Sequence, residues 1–185
     1  MEMLLNARLT RETLELRPLE IADAHVLFSI IDKNREYLKT WLTWLDRTKS
    51  VDDVVHFIQT SHTNAQNGRG VDFGIFENSK LVGVIGLKDL DVHQKKVTIG
   101  YWIDKDTQGK GIMTKSVSLL IEFIFTQLSL HRIQITCSVG NAKSCAIPER
   151  LGFTKEGIAR DAEWLNDHFV DWNVYSLLKH EWEIV

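Results

Sequence analysis

Long hydrophobic runs are absent from this chain of 185 residues. No stretch approaches the ~18 unbroken apolar residues of a membrane span, and the opening Met1-Glu2-Met3-Leu4-Leu5-Asn6 breaks its apolar run too early for a secretory signal. A protein that is neither exported nor membrane-spanning is expected. Proline is scarce, at two residues, and the eleven glycines fall in no glycine- or serine-rich tract, which leaves no place for a linker or a disordered arm. Cysteine is as scarce. Cys137 and Cys145 fit neither a disulfide framework nor a zinc spacing, and the seven histidines are scattered singly. No metal site is expected, and a reducing cytoplasm is the natural compartment. Charge of one sign is also lacking. The 22 basic and 25 acidic residues give a formal charge of -3, without the global footprint of a nucleic-acid binder. What is present, 44% apolar and 25% charged residues, suffices for one sizeable core in a single domain over residues 1–185.

The periodicity of the apolar residues divides the chain. Thr13 to Pro18 alternates apolar and polar residues and stops at a proline, which predicts a first strand. From Ile21 to about Leu45, the residues Leu27, Ile30, Ile31, Leu38, Trp41, Leu42 and Leu45 recur at helical spacing and predict a helical stretch. Ser50 caps a second helix, with Val51, Val54, Val55 and Ile58 on one face, Asp53 as capping-box partner and an end near Asn67-Gly68. An antiparallel meander follows, Asp72–Phe76 and Lys80–Leu90 around a tight turn at Asn78-Ser79, then Lys96–Ile103. Met113, Val117, Leu120, Ile124 and Leu128 mark the next helix, whose crossover makes the strand from His131 to Val139 parallel to the one before. Asn141 caps a short helix that reaches Leu151 and closes at Gly152. Pro148 lies inside it and leaves a carbonyl one turn earlier without its usual donor. Phe153 to Leu178 reads as two strands around a hairpin at Asn166-Asp167.

The segment Gln108-Gly109-Lys110-Gly111-Ile112-Met113 is the most informative. Its glycines let the backbone approach a ligand, and the helix starting near Ile112 aims unpaired N–H groups and its positive dipole end into the same space, which suits a phosphate. A plain glycine-rich turn accounts for the same residues. Neither G-x-G-x-x-G nor G-x-x-x-x-G-K-[ST] is present, and antiparallel strands precede the loop, so no dinucleotide or P-loop site is expected.

With Thr98-Ile99-Gly100-Tyr101-Trp102-Ile103 before that loop, and Asn141-Ala142-Lys143-Ser144 through Glu149-Arg150-Leu151-Gly152-Phe153 after it, the chain resembles the GCN5-related N-acetyltransferase (GNAT) family. Within it the chain looks most like the RimJ/RimL ribosomal-protein N-acetyltransferases, through Gly111-Ile112-Met113-Thr114, the run from Arg150 to Gly157, and Ala162-Glu163-Trp164-Leu165-Asn166-Asp167 before Val174-Tyr175-Ser176. One position departs from the family pattern [RQ]-x-x-G-x-[GA]: Met113 stands in its last place. The resemblance implies a mixed α+β fold, with a central twisted, mostly antiparallel sheet of about seven strands, a parallel pair at the cofactor site and flanking helices. It implies acetyl-CoA as cosubstrate, no metal, and direct attack on the thioester by a primary amine, foremost the N-terminal α-amine of a ribosomal protein, with no direct nucleic-acid contact. The alternatives are a small amine as acceptor, or a non-catalytic acyl-CoA-binding module. A homo-oligomer, most simply a dimer, is implied too, and six tryptophans suit an aromatic interface.

The resemblance also assigns residues. Backbone amides of Gln108, Gly109, Lys110, Gly111, Ile112 and Met113 would hold the pyrophosphate, with the Lys110 side chain adding charge. Amides of Tyr101, Trp102 and Ile103, on a strand that splays from its neighbour, would hold the pantetheine arm and the thioester carbonyl. Asn141 is a good N-cap and also a candidate contact to the cofactor arm. Ser144 and Tyr175 compete as donor to the departing thiolate. Among Asp161, Glu163, Asp167 and Asp171, the glutamate matches the base of RimL-like enzymes. Cys137 reads as a buried core residue before an acyl carrier. Trp41, Leu42, Trp44 and Leu45 divide between helical core and the wall of an acceptor pocket.

Overall fold

The computed structural model describes residues 2–182. Met1 and residues 183–185, the ends of the expected domain, lie outside the described residues. One sheet of eight strands organises the chain: β1 (Leu9–Arg11), β2 (Leu14–Pro18), β3 (Val71–Glu77), β4 (Lys80–Asp91), β5 (Lys96–Ile103), β6 (Arg132–Ser138), β7 (Thr154–Leu165) and β8 (His168–Leu178), in the spatial order β1-β2-β3-β4-β5-β6-β8-β7. All neighbours are antiparallel except β5 and β6. That parallel pair follows from the crossover helix between them, as the sequence predicts. The strand beyond the expected seven is β1. It has three residues and pairs with β2 through a turn at Glu12, whose φ is 55°.

The helices α1 (Glu2–Leu5), α2 (Ala24–Lys33), α3 (Arg35–Lys39), α4 (Val51–Gln66), α5 (Ile112–Thr126), α6 (Ala142–Arg150) and α7 (Lys179–Trp182) complete the described chain. On one face of the sheet, Val117, Leu120 and Ile124 of α5 are wholly buried in a core shared with Phe73, Ile85, Ile99 and Ile133. Each such side chain contributes ~1.5–3 kcal/mol. On the other face, Leu27, Ile31, Val54 and Ile58 of α2 and α4 pack with Phe76, Leu81 and Val84. The cap of α4 is built as expected: the Asp53 N–H donates to Ser50 Oγ at 3.3 Å, and the Ser50 N–H donates to Asp53 Oδ2 at 2.9 Å.

The single helical stretch expected over Ile21–Leu45 is broken. Asn34 interrupts it at φ -102°, ψ 8°, and Leu42 is extended at φ -129°, ψ 116°. The cause lies far along the chain. Buried Asn34 donates from Nδ2 to Asp104 Oδ1 at 3.0 Å and accepts the Lys105 N–H at Oδ1, also at 3.0 Å, tying α2 to the loop after β5.

Candidate functional site

β5 pairs with β4 along nearly its whole length, but with β6 only over Lys96–Thr98 against Arg132–Gln134. Beyond Thr98 the two strands part, while on its other edge β6 stays paired with β8 from Arg132 opposite Leu178 to Ser138 opposite Trp172. Among the described residues the main chain of Ile99–Ile103 has no strand partner on that side, and a cleft of about 1020 Å3 fills the wedge. Tyr101, Trp102 and Ile103 line it from β5, and Thr136, Cys137 and Ser138 from β6.

The loop between β5 and α5 closes one end. Asp104 accepts the Asp106 N–H at 3.2 Å and so caps the single turn Lys105–Thr107. Burial would raise the Asp104 pKa, but donors from Asn34, the Asp106 amide and Lys33 outweigh it and hold the carboxyl below its usual range. Gly109 and Gly111 have φ of 76° and 75°, the left-handed region that favours glycine, and a Cβ on either would meet no atom within 4 Å. The first helical bond of α5 runs from the Lys115 N–H to the Gly111 carbonyl, 2.9 Å, so the amides of Ile112, Met113 and Thr114 precede the ladder. Gln108, Gly109, Gly111, Ile112 and Met113 all line the cleft. The Lys110 side chain does not; it reaches back to the Asp106 carbonyl at 3.2 Å. The basic side chains along the cleft are Lys105, Lys115, Lys143 and Arg150. Lys143 donates to Gln108 Oε1 at 3.1 Å, while Gln108 Nε2 donates to the Tyr37 hydroxyl, so α6, the loop and α3 are tied at one side chain.

Tyr101 and Ser144 meet in the middle of the cleft. Asn141 accepts the Ser144 N–H at 3.1 Å, which starts α6 and points its first turn at β5. Pro148 has no N–H to give the Ser144 carbonyl, and the Tyr101 hydroxyl takes that place at 3.1 Å. The Ser144 hydroxyl in turn donates to Tyr101 Oη at 3.4 Å. Burial pushes the Tyr101 phenol up, so it stays protonated. Tyr175 is not brought here. It is 1% exposed, absent from the cleft lining, and donates to Glu149 Oε1 at 2.8 Å. Burial and that carboxylate both push its phenol up. Cys137 lines the cleft, with its thiol 3.2 Å from that of Cys145, and burial and this neighbour raise its pKa.

The rest of the described lining is largely aromatic and carries one acid. Trp41 and Leu42 wall the cleft, together with Tyr37, Leu38 and Trp102. Leu45 is core, and Trp44 packs on Trp102 with ring centroids 6.1 Å apart. Glu163 is the only carboxylate among the described residues that line the cleft, and the indole N–H of Trp172 donates to its Oε2 at 3.2 Å. The other acids of the hairpin serve elsewhere: Asp171 accepts the Asp161 N–H at 2.9 Å, and Asp167 sits in the turn at φ 66°. Sequence reading missed Lys115, Lys143, Arg150 and Trp172. Lys143 and Arg150 stood inside quoted motifs without a role of their own, and nothing local marked Lys115 or Trp172.

A family-wide sequence profile described as the acetyltransferase (GNAT) domain matches residues 13–154. The chain is 35% identical over 167 residues to the ribosomal-protein-serine acetyltransferase of Escherichia coli (strain K12), covering 89% of this chain and 92% of that one. Among solved structures it is similar to RimL, a ribosomal L7/L12 alpha-N-protein acetyltransferase in complex with coenzyme A. That likeness has a TM-score of 0.90 at 29% identity, covering 93% of this chain and 98% of RimL. It is also similar to the microcin C7 self-immunity acetyltransferase MccE in complex with acetyl-CoA and AMP, with a TM-score of 0.87 at 31% identity, covering 91% and 93%.

Proposed function

Because this chain belongs to the acetyltransferase (GNAT) family, and so is an N-acetyltransferase that uses acetyl-CoA, we propose that its acceptor is the N-terminal α-amine of a ribosomal protein. The observation that carries the reading is the wedge itself. An amide-rich glycine loop, unpaired strand backbone and, among the described residues, a single carboxylate line one cleft.

The residues present fit acetyl-CoA. The open space over Gly109 and Gly111 admits a pyrophosphate against the amides that open α5, and Lys115, Lys143 and Arg150 supply positive charge along the same wall. The unpaired main chain of Tyr101–Ile103 offers donors to the pantetheine arm and to the thioester carbonyl. Acetyl-CoA supplies the activated acyl group. Glu163 accepts the proton that the attacking amine loses, directly or through water. Ser144 is the one of the two candidate donors that lines the cleft, and its hydroxyl turns its single proton from Tyr101 Oη to the departing thiolate, a group of ordinary pKa ~8.5 that needs modest help. Tyr101 steadies Ser144 through the bond that its own hydroxyl gives the Ser144 carbonyl, which does not depend on the serine proton. Cys137, whose thiol resists ionisation, supports direct transfer over an acyl-cysteine.

Charge supports this acceptor class. One carboxylate against aromatic walls suits a single ammonium, whereas a polyamine calls for several acids. MccE, bound to acetyl-CoA and AMP, supports a second reading, a small amine carried on a nucleotide. A homodimer in the cytoplasm completes the proposal. The exposed, edge-to-face pair Trp164 and Phe169, with centroids 4.8 Å apart, is the aromatic surface it would use. The deciding experiment incubates the protein and acetyl-CoA with a lysate lacking its own gene and follows intact proteins by mass spectrometry. One ribosomal protein acetylated at its N-terminus supports the proposal; acetyl transfer confined to the small-molecule fraction replaces it with the second reading.

A further inference from the structure

The hairpin of β7 and β8 is out of register beside the cleft. Ala159 faces Trp172 and Glu163 faces Val170, so three residues of β7, Arg160 to Ala162, stand opposite Asp171 alone. Continued without that bulge, the ladder set by Ala159 and Trp172 would put Asp161 opposite Val170 and carry Glu163 on to His168. The bulge therefore draws Glu163 back by two residues, ~7 Å of strand, from the hairpin tip towards the cleft. Two contacts hold it there. Asp171 accepts the Asp161 N–H at 2.9 Å, with Asp161 in the left-handed region at φ 49°. Trp172 reaches diagonally across the hairpin and donates its indole N–H to Glu163 Oε2 at 3.2 Å.

We infer that Trp172 is a positioning residue for the Glu163 carboxylate, in a hairpin whose bulge brings the two side chains together. The inference rests on the reading of Glu163 as the base. An indole N–H can only donate, so it occupies Oε2 and leaves Oε1 to face an incoming amine. A carboxylate released from this bond samples several rotamers, and the fraction of encounters with the base in line falls. Trp172 also lines the cleft, so its ring excludes water from the same spot.

The test is a double-mutant cycle on the full chain, with acetyl-CoA and a peptide carrying a free N-terminal serine, in which release of the thiol is followed. Trp172→Phe keeps an aromatic ring and removes the donor. It is expected to lower kcat by about 10- to 100-fold, the range for a lost hydrogen bond to a charged group, with KM for acetyl-CoA unchanged. In a Glu163→Gln background the same change should cost less than about threefold, because its effect passes through the missing carboxylate. A ring that merely supports the hairpin gives losses that multiply. Multiplying losses, with Glu163→Gln itself crippled, overturn the inference alone; a Glu163→Gln variant at full kcat overturns the base and the inference with it. The hydrogen bond is also read without any acceptor. The Trp172 indole resonance, identified by its disappearance in Trp172→Phe, should shift in Glu163→Ala, and a resonance that does not move refutes the contact.

Discussion

Gly111→Val separates binding from folding. Gly111 has φ 75° and ψ 0° at the N-cap of α5, and no atom lies within 4 Å of where its Cβ would stand. The added Cβ therefore meets no protein atom. Its intrinsic cost is the left-handed backbone, ~1–2 kcal/mol, against a typical native stability of ~5–15 kcal/mol, and the protein stays folded. The space the side chain enters is the approach of the pyrophosphate to the amides of Ile112 and Met113. Hydrogen bonds to a charged group are each worth ~1.5–3 kcal/mol, so losing two predicts ~3–6 kcal/mol, or roughly 10²- to 10⁴-fold in Kd for CoA. The molecule supplies its own control. Gly152, beyond the end of α6, also has φ 75° and open space at its Cβ, but does not line the cleft. Gly152→Val should show the same drop in Tm and unchanged affinity by calorimetry. Wild-type affinity in Gly111→Val, or an equal loss in Gly152→Val, would refute the phosphate assignment.

Glu163→Gln should lower kcat by roughly 10²- to 10⁴-fold at neutral pH, and much of the loss should return above the α-amine pKa of ~7.7–8.0, where the nucleophile is already neutral; full activity on an acceptor proven by mass spectrometry would sink the base. Ser144→Ala should instead persist as a kcat defect at alkaline pH and shrink with a thioester of a more acidic thiol, and a defect indifferent to the leaving group would count against its role. Glu156 bonds Arg132 at 2.6 Å, and that guanidinium holds its pKa at about 2 against the usual 4.5. A lowered carboxyl stabilises the fold fully above pH 4.5 and loses that contribution as pH falls through about 2. The side chain is 38% exposed, so solvent screening limits the worth of the pair, and Glu156→Gln should cost ~1 kcal/mol in urea unfolding at pH 7 and progressively less as pH falls to about 2 and below. Light scattering across the micromolar range should give a dimer mass, and a monomer mass would contradict the homo-oligomer.

Where chemistry is local, the sequence carries it. Ser50 and Asp53 settle a helix start within one turn, Asn78-Ser79 and Asn166-Asp167 place two hairpin turns in the left-handed region, and Gly109 with Gly111 locates the loop. What the sequence hides is long-range. The break at Asn34 depends on Asp104 and Lys105, some 70 residues on, and helical periodicity runs straight through it. Tyr175 matches a family position, yet its side chain is buried and its hydroxyl turns to Glu149 on α6, a choice no spacing reveals. Trp172 reads as one more strand aromatic until the bulge brings Glu163 beside it.

Pro148 and Tyr101 lie 47 positions apart and share one carbonyl. The proline removes the backbone N–H that the α-helical ladder would bring to the Ser144 carbonyl, and the phenol on β5 fills the place from outside. Neither residue can therefore drift alone. A phenylalanine at 101 strands a carbonyl next to the cleft, a debt of ~1–3 kcal/mol, while an alanine at 148 restores an N–H that competes with the phenol and frees Tyr101 to swing away from Ser144. Changed together, the two restore an ordinary helix and leave Ser144 without its tether. The imperfection in the helix is thus what registers Ser144 against the cofactor strand, and a redesign that idealises α6 would gain helix stability while detuning the site.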